Sequence, residues 1–333
     1  MVLQRKWVMV AGAVVLACAV VLALSAWVWM RHPIKLAAPV RLDVVPGTGV
    51  REAARMVASA AGISSKAFEQ LLAVKIPPQR LRAGTYEIAP GITPLGIVDK
   101  FARGEVVLAQ LTIVEGWNFA QLRSALMMSG SVKLDMPRLT DDQIMERLGA
   151  YGVSPEGRFM PDTYRYPVGS DELTVLRMAY QAMKEGLADA WARRAPNLPL
   201  ESPDEALILA SIVEKETGDH TERPMIAAVF INRLRLGMKL QTDPTVIYGL
   251  REQFDGDLRK RDLQTDHPYN TYTRTGLPPT PIAMPGRKSI EAALHPADSQ
   301  ALYFVARGDG TSEFSNHLAD HNRAVQRYQK SRQ

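Results

Sequence analysis

The chain has 333 residues, of which 46% are apolar and 23% charged, and carries a formal net charge of +5. That length holds two domains, and the composition excludes an intrinsically disordered chain. The basic residues are scattered and form no tract or recognition helix, so no nucleic acid is expected as a partner; a mild positive charge suits an acidic polymer or anionic lipid instead.

Residues 7–30 carry no charge; Arg5 and Lys6 precede them, and Arg31, His32 and Lys35 follow. A run of this length spans the ~30 Å hydrocarbon core of a bilayer. Trp7, Trp27 and Trp29 stand where interfacial aromatics belong. "ALSA" at 23–26 is a possible signal-peptidase site and "VLAC" ending at Cys18 resembles a lipobox, but the apolar run continues past both. The reading is therefore an uncleaved transmembrane helix at 7–30, with residues 1–6 cytoplasmic. The body then lies outside the cytoplasm, as that of a single-pass membrane protein. Cys18, the only cysteine, lies in this run, so the body has no disulfide, cysteine nucleophile or cysteine metal site.

Residues 31–39 read as a linker. After it a pattern recurs: a short β-rich strand, a turn with glycine, and an amphipathic helix. The copies are "RLDVVPGTGVREAARMV", "TYEIAPGITPLGIVDKF" and "LTIVEGWNFAQLRSAL", with Gly47, Gly91 and Gly116 at equivalent turns. Gly47 and Gly49 suggest a dinucleotide fingerprint, but Glu52 stands where that motif wants Gly or Ala. Over 40–88 the order strand–helix–helix–strand, with "SSKAFEQLLAV" as second helix, is that of a LysM-type glycan-binding module; an α/β spacer reads equally well. From about Leu139 the chain turns helical with longer loops. "EGRFMPDTYRYPVG" at 156–169 is too rich in Pro, Gly and aromatic residues for a plain connector. A helix over 203–217 is signposted by Ser202 and Glu205 as a capping box, Pro203 at its first position and Gly218 beyond its end. A second runs from about Arg223 to Leu236. Residues 238–287 follow as a long irregular region.

The first of these helices, "ILASIVEKETG" at 208–218, is apolar nearly all round yet ends in Glu214 and Glu216. At roughly 100° per residue the two carboxylates point about 200° apart. Glu216 continues the stripe of Leu209, Ile212 and Val213, which predicts burial; Glu214 follows Leu207, Ala210 and Ser211. Apolar surroundings and the negative end of the helix dipole both raise a carboxyl pKa, which makes a general acid near neutral pH. The competing reading is a frayed, solvated helix end with Lys215 beside it. "MKLQTDPTVIYGL" adds Gln241, Thr242, Asp243 and Tyr248, and "HPYNTYTRTGLPPTPIAMPG" adds Tyr269, Asn270 and Tyr272. Amides and flat aromatic rings together suit a polysaccharide cleft, because pyranoses offer hydroxyl edges and apolar faces.

"ASIVEKET", "AAVFINRLRLGMKLQTDPTVIYG", "YNTY", "GLPP" and "HPADSQALYFVA" together resemble the endolytic murein transglycosylases, the YceG-like family. The resemblance covers residues 40–330, and the amino-terminal anchor by layout. It implies a membrane-anchored lytic transglycosylase that cuts the β-1,4 bond between N-acetylmuramic acid and N-acetylglucosamine in nascent peptidoglycan glycan strands, leaving 1,6-anhydro-muramyl ends. It implies Glu216 as the catalytic acid and then base, Glu214 as a supporting acid, and Gln241, Asp243, Tyr248, Asn270 and Tyr272 as candidates for substrate binding. It calls for no cofactor and no metal, and suggests work beside peptidoglycan synthases or transpeptidases. Thr280 and Met284 depart from the pattern, which more often has Gly and a polar residue there. A second carboxylate, Asp243 or Glu222, would make a hydrolase instead. A noncatalytic peptidoglycan-binding scaffold is the alternative from another class.

The expected fold is α+β: the transmembrane helix, a LysM-like α/β region over 40–138, and a mainly helical catalytic domain with long loops over 139–333. "HLADH", from His317 to His321, spaces two histidines one helical turn apart, which reads as structural rather than as zinc ligands. Ser211 has no nucleophile-elbow glycines around it, so a serine hydrolase is not expected.

Overall fold

The computed structural model describes residues 2–76, 81–133 and 139–330, and the chain divides into two compact units, Met1–Ala109 with Pro167–Ser170 and Gln110–Tyr166 with Asp171–Gln333. In the first unit, α1 (Val2–Arg31) carries the apolar run; its segment Met9–Arg31, of mean hydropathy 2.6, is exposed and long enough to cross a membrane. Anchors and signal sequences share that property. The basic pair Arg5 and Lys6, on which the expected orientation rests, lies outside the residues whose side chains are described.

The strand–helix–helix–strand order read from the sequence is present as β1 (Val40–Val44), α2 (Val50–Ala61), α3 (Ser65–Lys75) and β2 (Gly84–Ile88), followed by α4 (Pro94–Arg103). β1 and β2 pair antiparallel, with Val40 opposite Ile88 and Val44 opposite Gly84. Leu42 and Val44 alternate inward and pack with Val57, Phe68, Leu72, Tyr86, Ile97 and Phe101 into the core of this unit. Ser64 and Thr93 cap α3 and α4 through their hydroxyls. The stretch 31–39 is not a plain linker: the Ile34 amide donates to the Ile92 carbonyl at 2.8 Å, and its side chain joins the core. Gly47 and Gly91 stand at positive φ in their turns, and so does Gly116.

The remaining elements, mostly in the second unit, are β3 (Leu108–Thr112), α5 (Phe119–Met128), β4 (Val132–Lys133), α6 (Asp141–Arg147), β5 (Thr163–Pro167), β6 (Ser170–Asp171), α7 (Glu172–Ala192), α8 (Pro203–Glu216), α9 (Arg223–Arg235), α10 (Asp243–Leu250), α11 (Lys260–Gln264), α12 (Arg287–Leu294), β7 (Tyr303–Ala306), β8 (Ser312–Ser315) and α13 (Leu318–Val325). The compact units part at Ala109, earlier than the change of character read near Leu139; residues 134–138, just before that expected boundary, lie outside the described residues. The third strand–turn–helix copy belongs to the helical unit because its backbone is tied there. Gly116 donates to the Met284 carbonyl at 2.9 Å, and Met284 donates back to the Trp117 carbonyl at 2.7 Å. Met284, the apolar departure from the family pattern, is fully buried at this junction.

α8 is the axis of the second unit. Leu207, Leu209, Ala210, Ile212 and Val213 are buried on every side of it, against α7, α9 and α12. Each large aliphatic side chain so buried contributes about 1.5–3 kcal/mol. Ser202 accepts from the Glu205 amide, but Glu205 reaches the Glu201 amide instead of returning to Ser202, so the expected capping box is half formed. Ser211 donates to the Ile208 carbonyl and accepts from the Ile282 amide, a structural role that fixes the 282 loop on α8. The region 238–287, expected to be irregular throughout, contains α10 and α11; Pro244 at the first turn preorganises α10.

Candidate active site

Glu216 is the last residue of α8, half-buried, and its carboxylate accepts a short hydrogen bond from the Thr242 hydroxyl. Burial pushes this carboxyl from its ordinary 4.5 up to about 7; the Thr242 hydrogen bond opposes the rise, the nearby Asp243 charge adds to it, and the Arg233 guanidinium opposes it. Thr242 is itself fixed. Its amide donates to the Thr271 hydroxyl at 3.0 Å, and its carbonyl accepts from the Thr245 hydroxyl at 2.8 Å. Arg233 on α9 is buried and donates to the carbonyls of Leu240 and Leu302, each at 2.7 Å, which pins the loop leading into Thr242. The acid at the end of this apolar helix, its pKa raised by burial, is thus held in a frame of threonines and one arginine.

Glu214, read from the sequence as a supporting acid, is buried beside an arginine. Its side chain is 5% exposed, ion-paired at 2.8 Å with Arg223, itself 3% exposed, and its second oxygen accepts from the Gly286 amide at 2.9 Å. Neither glutamate frays into solvent; only Lys215 between them is exposed. Glu214 therefore ties α8 to the start of α9 and the start of α12.

Among the other expected residues, Asp243 and Tyr272 join the Glu216 centre. The Tyr272 hydroxyl donates to Asp243 at 2.5 Å, and burial followed by this carboxylate raises the phenol above its ordinary range. Gln241 is exposed, at φ 51°, with its side-chain oxygen 3.5 Å from Arg233. Asn270, expected in the cleft, is buried and serves the loop: its NH2 group faces the carbonyls of Asp262, Leu263 and Thr265, and its oxygen accepts from the Tyr272 amide. Glu222, weighed as a second carboxylate, is spent on Ser312, accepting from both its amide and its hydroxyl. His317 stands at the residue before α13 without a side-chain capping bond, and His321 stacks on Tyr303 at 5.2 Å; among the described residues no three of His, Cys, Asp and Glu form a metal-binding set.

Tyr248, on the same helix as Asp243, points its hydroxyl at a residue that sequence reasoning missed. It donates to Glu156 at 3.1 Å. Glu156 is 5% exposed, also accepts from the Phe119 amide at 3.1 and 3.3 Å, and is pushed by burial up to about 7. It lies at a cavity of about 690 Å³ whose lining includes Asn118, Gln121, Lys215, Pro244 and Tyr248. The signal in the sequence was a glutamate ahead of Gly157, a glycine at φ 75° where an added Cβ would meet Pro281 at 2.5 Å. The loop stood out; its acid did not.

Residues 42–327 match the family described as YceG-like. The chain belongs to that family. A protein from Bacillus subtilis named endolytic murein transglycosylase is 32% identical over 286 residues, 81% of this chain and 79% of the relative. One of the same name from Streptococcus pneumoniae is 28% identical and aligns with 76% of this chain but 51% of its own length, so this chain spans about half of that relative. The crystal structure of a YceG-like protein from Listeria monocytogenes matches with a TM-score of 0.55 at 28% identity, covering 86% of this chain and 99% of that one.

Proposed function

We propose that this member of the YceG-like family is a membrane-anchored endolytic lytic transglycosylase of peptidoglycan, with Glu216 as its acid and base. The observation that carries the reading is the protonatable Glu216, held beside Asp243, Tyr272 and Thr242 in a family whose named relatives are murein transglycosylases. Protonated Glu216 donates to the oxygen that leaves as the bond from C1 of N-acetylmuramic acid to O4 of N-acetylglucosamine breaks toward an oxocarbenium-like state. Its carboxylate then takes the proton of the muramyl C6 hydroxyl as that oxygen bonds to C1. The 1,6-anhydro ring closes, no water is consumed, and Glu216 ends the cycle protonated. Asp243 stabilises the positive charge that develops at C1, and Tyr272 orients Asp243.

The rest of the assignment follows this chemistry. α1 anchors the chain in the plasma membrane by a single pass, with the body on the side where peptidoglycan lies. The β1–α2–α3–β2 unit, with its antiparallel strand pair, has the element order of a LysM-type module and would hold the glycan. Peptidoglycan synthases or transpeptidases that make nascent strands are the partners this placement suits.

Mass spectrometry of uncrosslinked glycan strands incubated with the full chain in detergent, and with Glu216→Gln, tests the reading. Anhydro-muramyl ends from the wild type alone are expected. Reducing ends carrying the elements of water would instead make it a two-carboxylate muramidase, a reading favoured only by the proximity of Asp243 to Glu216. A folded protein that binds strands without cutting them would be a scaffold.

A further inference from the structure

Glu156 does no work in the chemistry above, yet its environment is as constructed as that of Glu216. Its carboxylate accepts from the amide of Phe119, the first residue of α5, and from the hydroxyl of Tyr248, near the end of α10. A residue on the 154–157 loop thereby ties two helices that are far apart in sequence. Those helices are the walls of the 690 Å³ cavity: α5 supplies Phe119, Ala120 and Gln121, and α10 supplies Pro244, Ile247 and Tyr248. Lys215 and Pro244 on its lining are covalent neighbours of Glu216 and Asp243, so the cavity adjoins the proposed centre of cleavage.

We propose that this cavity is a saccharide subsite for the glycan strand, and that Glu156 is its positioning residue, fixing Tyr248 and the start of α5 as the two walls between which one sugar unit lies. The proposal rests on the glycan-cleaving reading of Glu216. The volume falls in the range of pockets that enclose small ligands, roughly 300–1,000 Å³. The lining has the two characters that a pyranose asks for. Tyr248, Pro244, Ile247 and Phe119 offer apolar surface for a ring face. Asn118 and Gln121 have their oxygens taken by the capping box of α5, which leaves their NH2 groups as donors to hydroxyl and N-acetyl oxygens. Tyr248 is braced from behind by Tyr269, ring centroids 4.9 Å apart, and Arg251, which closes α10, is held at φ 51° where a non-glycine residue is strained. Strain, a braced ring and a buried acid at one cavity are unusual where packing alone is at stake.

Binding of peptide-free glycan strands to the full chain in detergent, measured by calorimetry in the noncleaving Glu216→Gln background, tests this. Adding Glu156→Ala should weaken binding about tenfold, the scale of one well-placed buried hydrogen-bonding group. Glu156→Gln should recover most of it, since the amide still accepts from Phe119 and can donate to the Tyr248 oxygen. Ala120→Trp, which fills the exposed mouth of the cavity and leaves the Glu156 contacts alone, should weaken binding by as much, and settles the matter if Glu156→Ala does not fold. With Glu216 intact, Glu156→Ala and Ala120→Trp should raise KM about tenfold while moving kcat far less, a split that general loosening of the fold would not produce. Binding within twofold of the parent for both variants, in an enzyme that still cleaves, would overturn the subsite alone. A wild type that neither binds nor cleaves glycan would overturn the reading beneath it.

Discussion

Glu216→Gln should make the protein more stable and inactive at once, and the size of the gain follows from the site. A carboxyl moved from 4.5 to about 7 disfavours ionisation by about 3 kcal/mol, at ~1.4 kcal/mol per pKa unit. Because the folded pKa is raised, the folded state binds more protons than the unfolded one between those two values. The contribution is fully present below about 4.5 and is lost as pH rises through 7. Gln, neutral throughout, resembles the protonated acid: it should match the wild type at pH 4.5 and exceed it by about 3 kcal/mol at pH 8. At roughly 2–4 °C per kcal/mol, the unfolding transition of the second unit should rise by about 6–12 °C at pH 8. Glu156 titrates over the same window, so Glu216→Gln keeps part of the wild-type pH slope and only the difference between the two proteins reports Glu216. Urea and thermal melts of the full chain in detergent at several pH values, beside the cleavage assay, measure both effects. A difference that stays flat from pH 5 to 8 would refute the buried-acid argument, and persistent cleavage would refute the assignment of the acid.

Cleavage by the wild type should be level below pH 7 and fall about tenfold per unit above it, as the acid loses its proton. Thr242→Val removes the hydroxyl that favours the ionised form, so that alkaline limb should move to higher pH; a limb that moves down would contradict the hydrogen bond. Glu214→Ala leaves the buried Arg223 charge with only the partly exposed Glu115 at 3.7 Å and should cost about 3 kcal/mol in urea titrations, with loss of activity following loss of fold. Asn270→Ala frees three loop carbonyls from their donor and should cost about 2 kcal/mol, seen as faster hydrogen exchange confined to residues 262–272. Uniform exchange across the second unit would show that Asn270 is no local latch.

The site was legible where chemistry is written into short-range pattern. Glu216 could be picked out because an apolar stripe at helical spacing ran into a carboxylate, and in the structure it stands half-buried at the end of α8 with its carboxyl pKa raised by burial. Reading stopped where polarity is satisfied by residues distant in the chain. The apolar neighbours of Glu214 said nothing about Arg223, the buried guanidinium with which it pairs. Nothing in the sequence around Asn270 announced its partners, three carbonyls that the loop brings back to it. Glu156 had no helical pattern to mark it, and its donors come from residues 119 and 248.

Local physics in the sequence determined the elements: the uncharged run of α1, the turn glycines at positive φ, the all-round apolar helix α8 and its terminal acid. Hydrophobic period, capping and backbone sterics act over a few residues, so they can be read along the chain. The tertiary structure alone decided which carboxylate would be ion-paired, which would have their pKa raised, and which would lie at a cavity. Desolvation and hydrogen bonding depend on whatever the fold brings within about 3 Å, and for Glu156, Glu214 and Glu216 the partners that decide their state come from other segments of the chain.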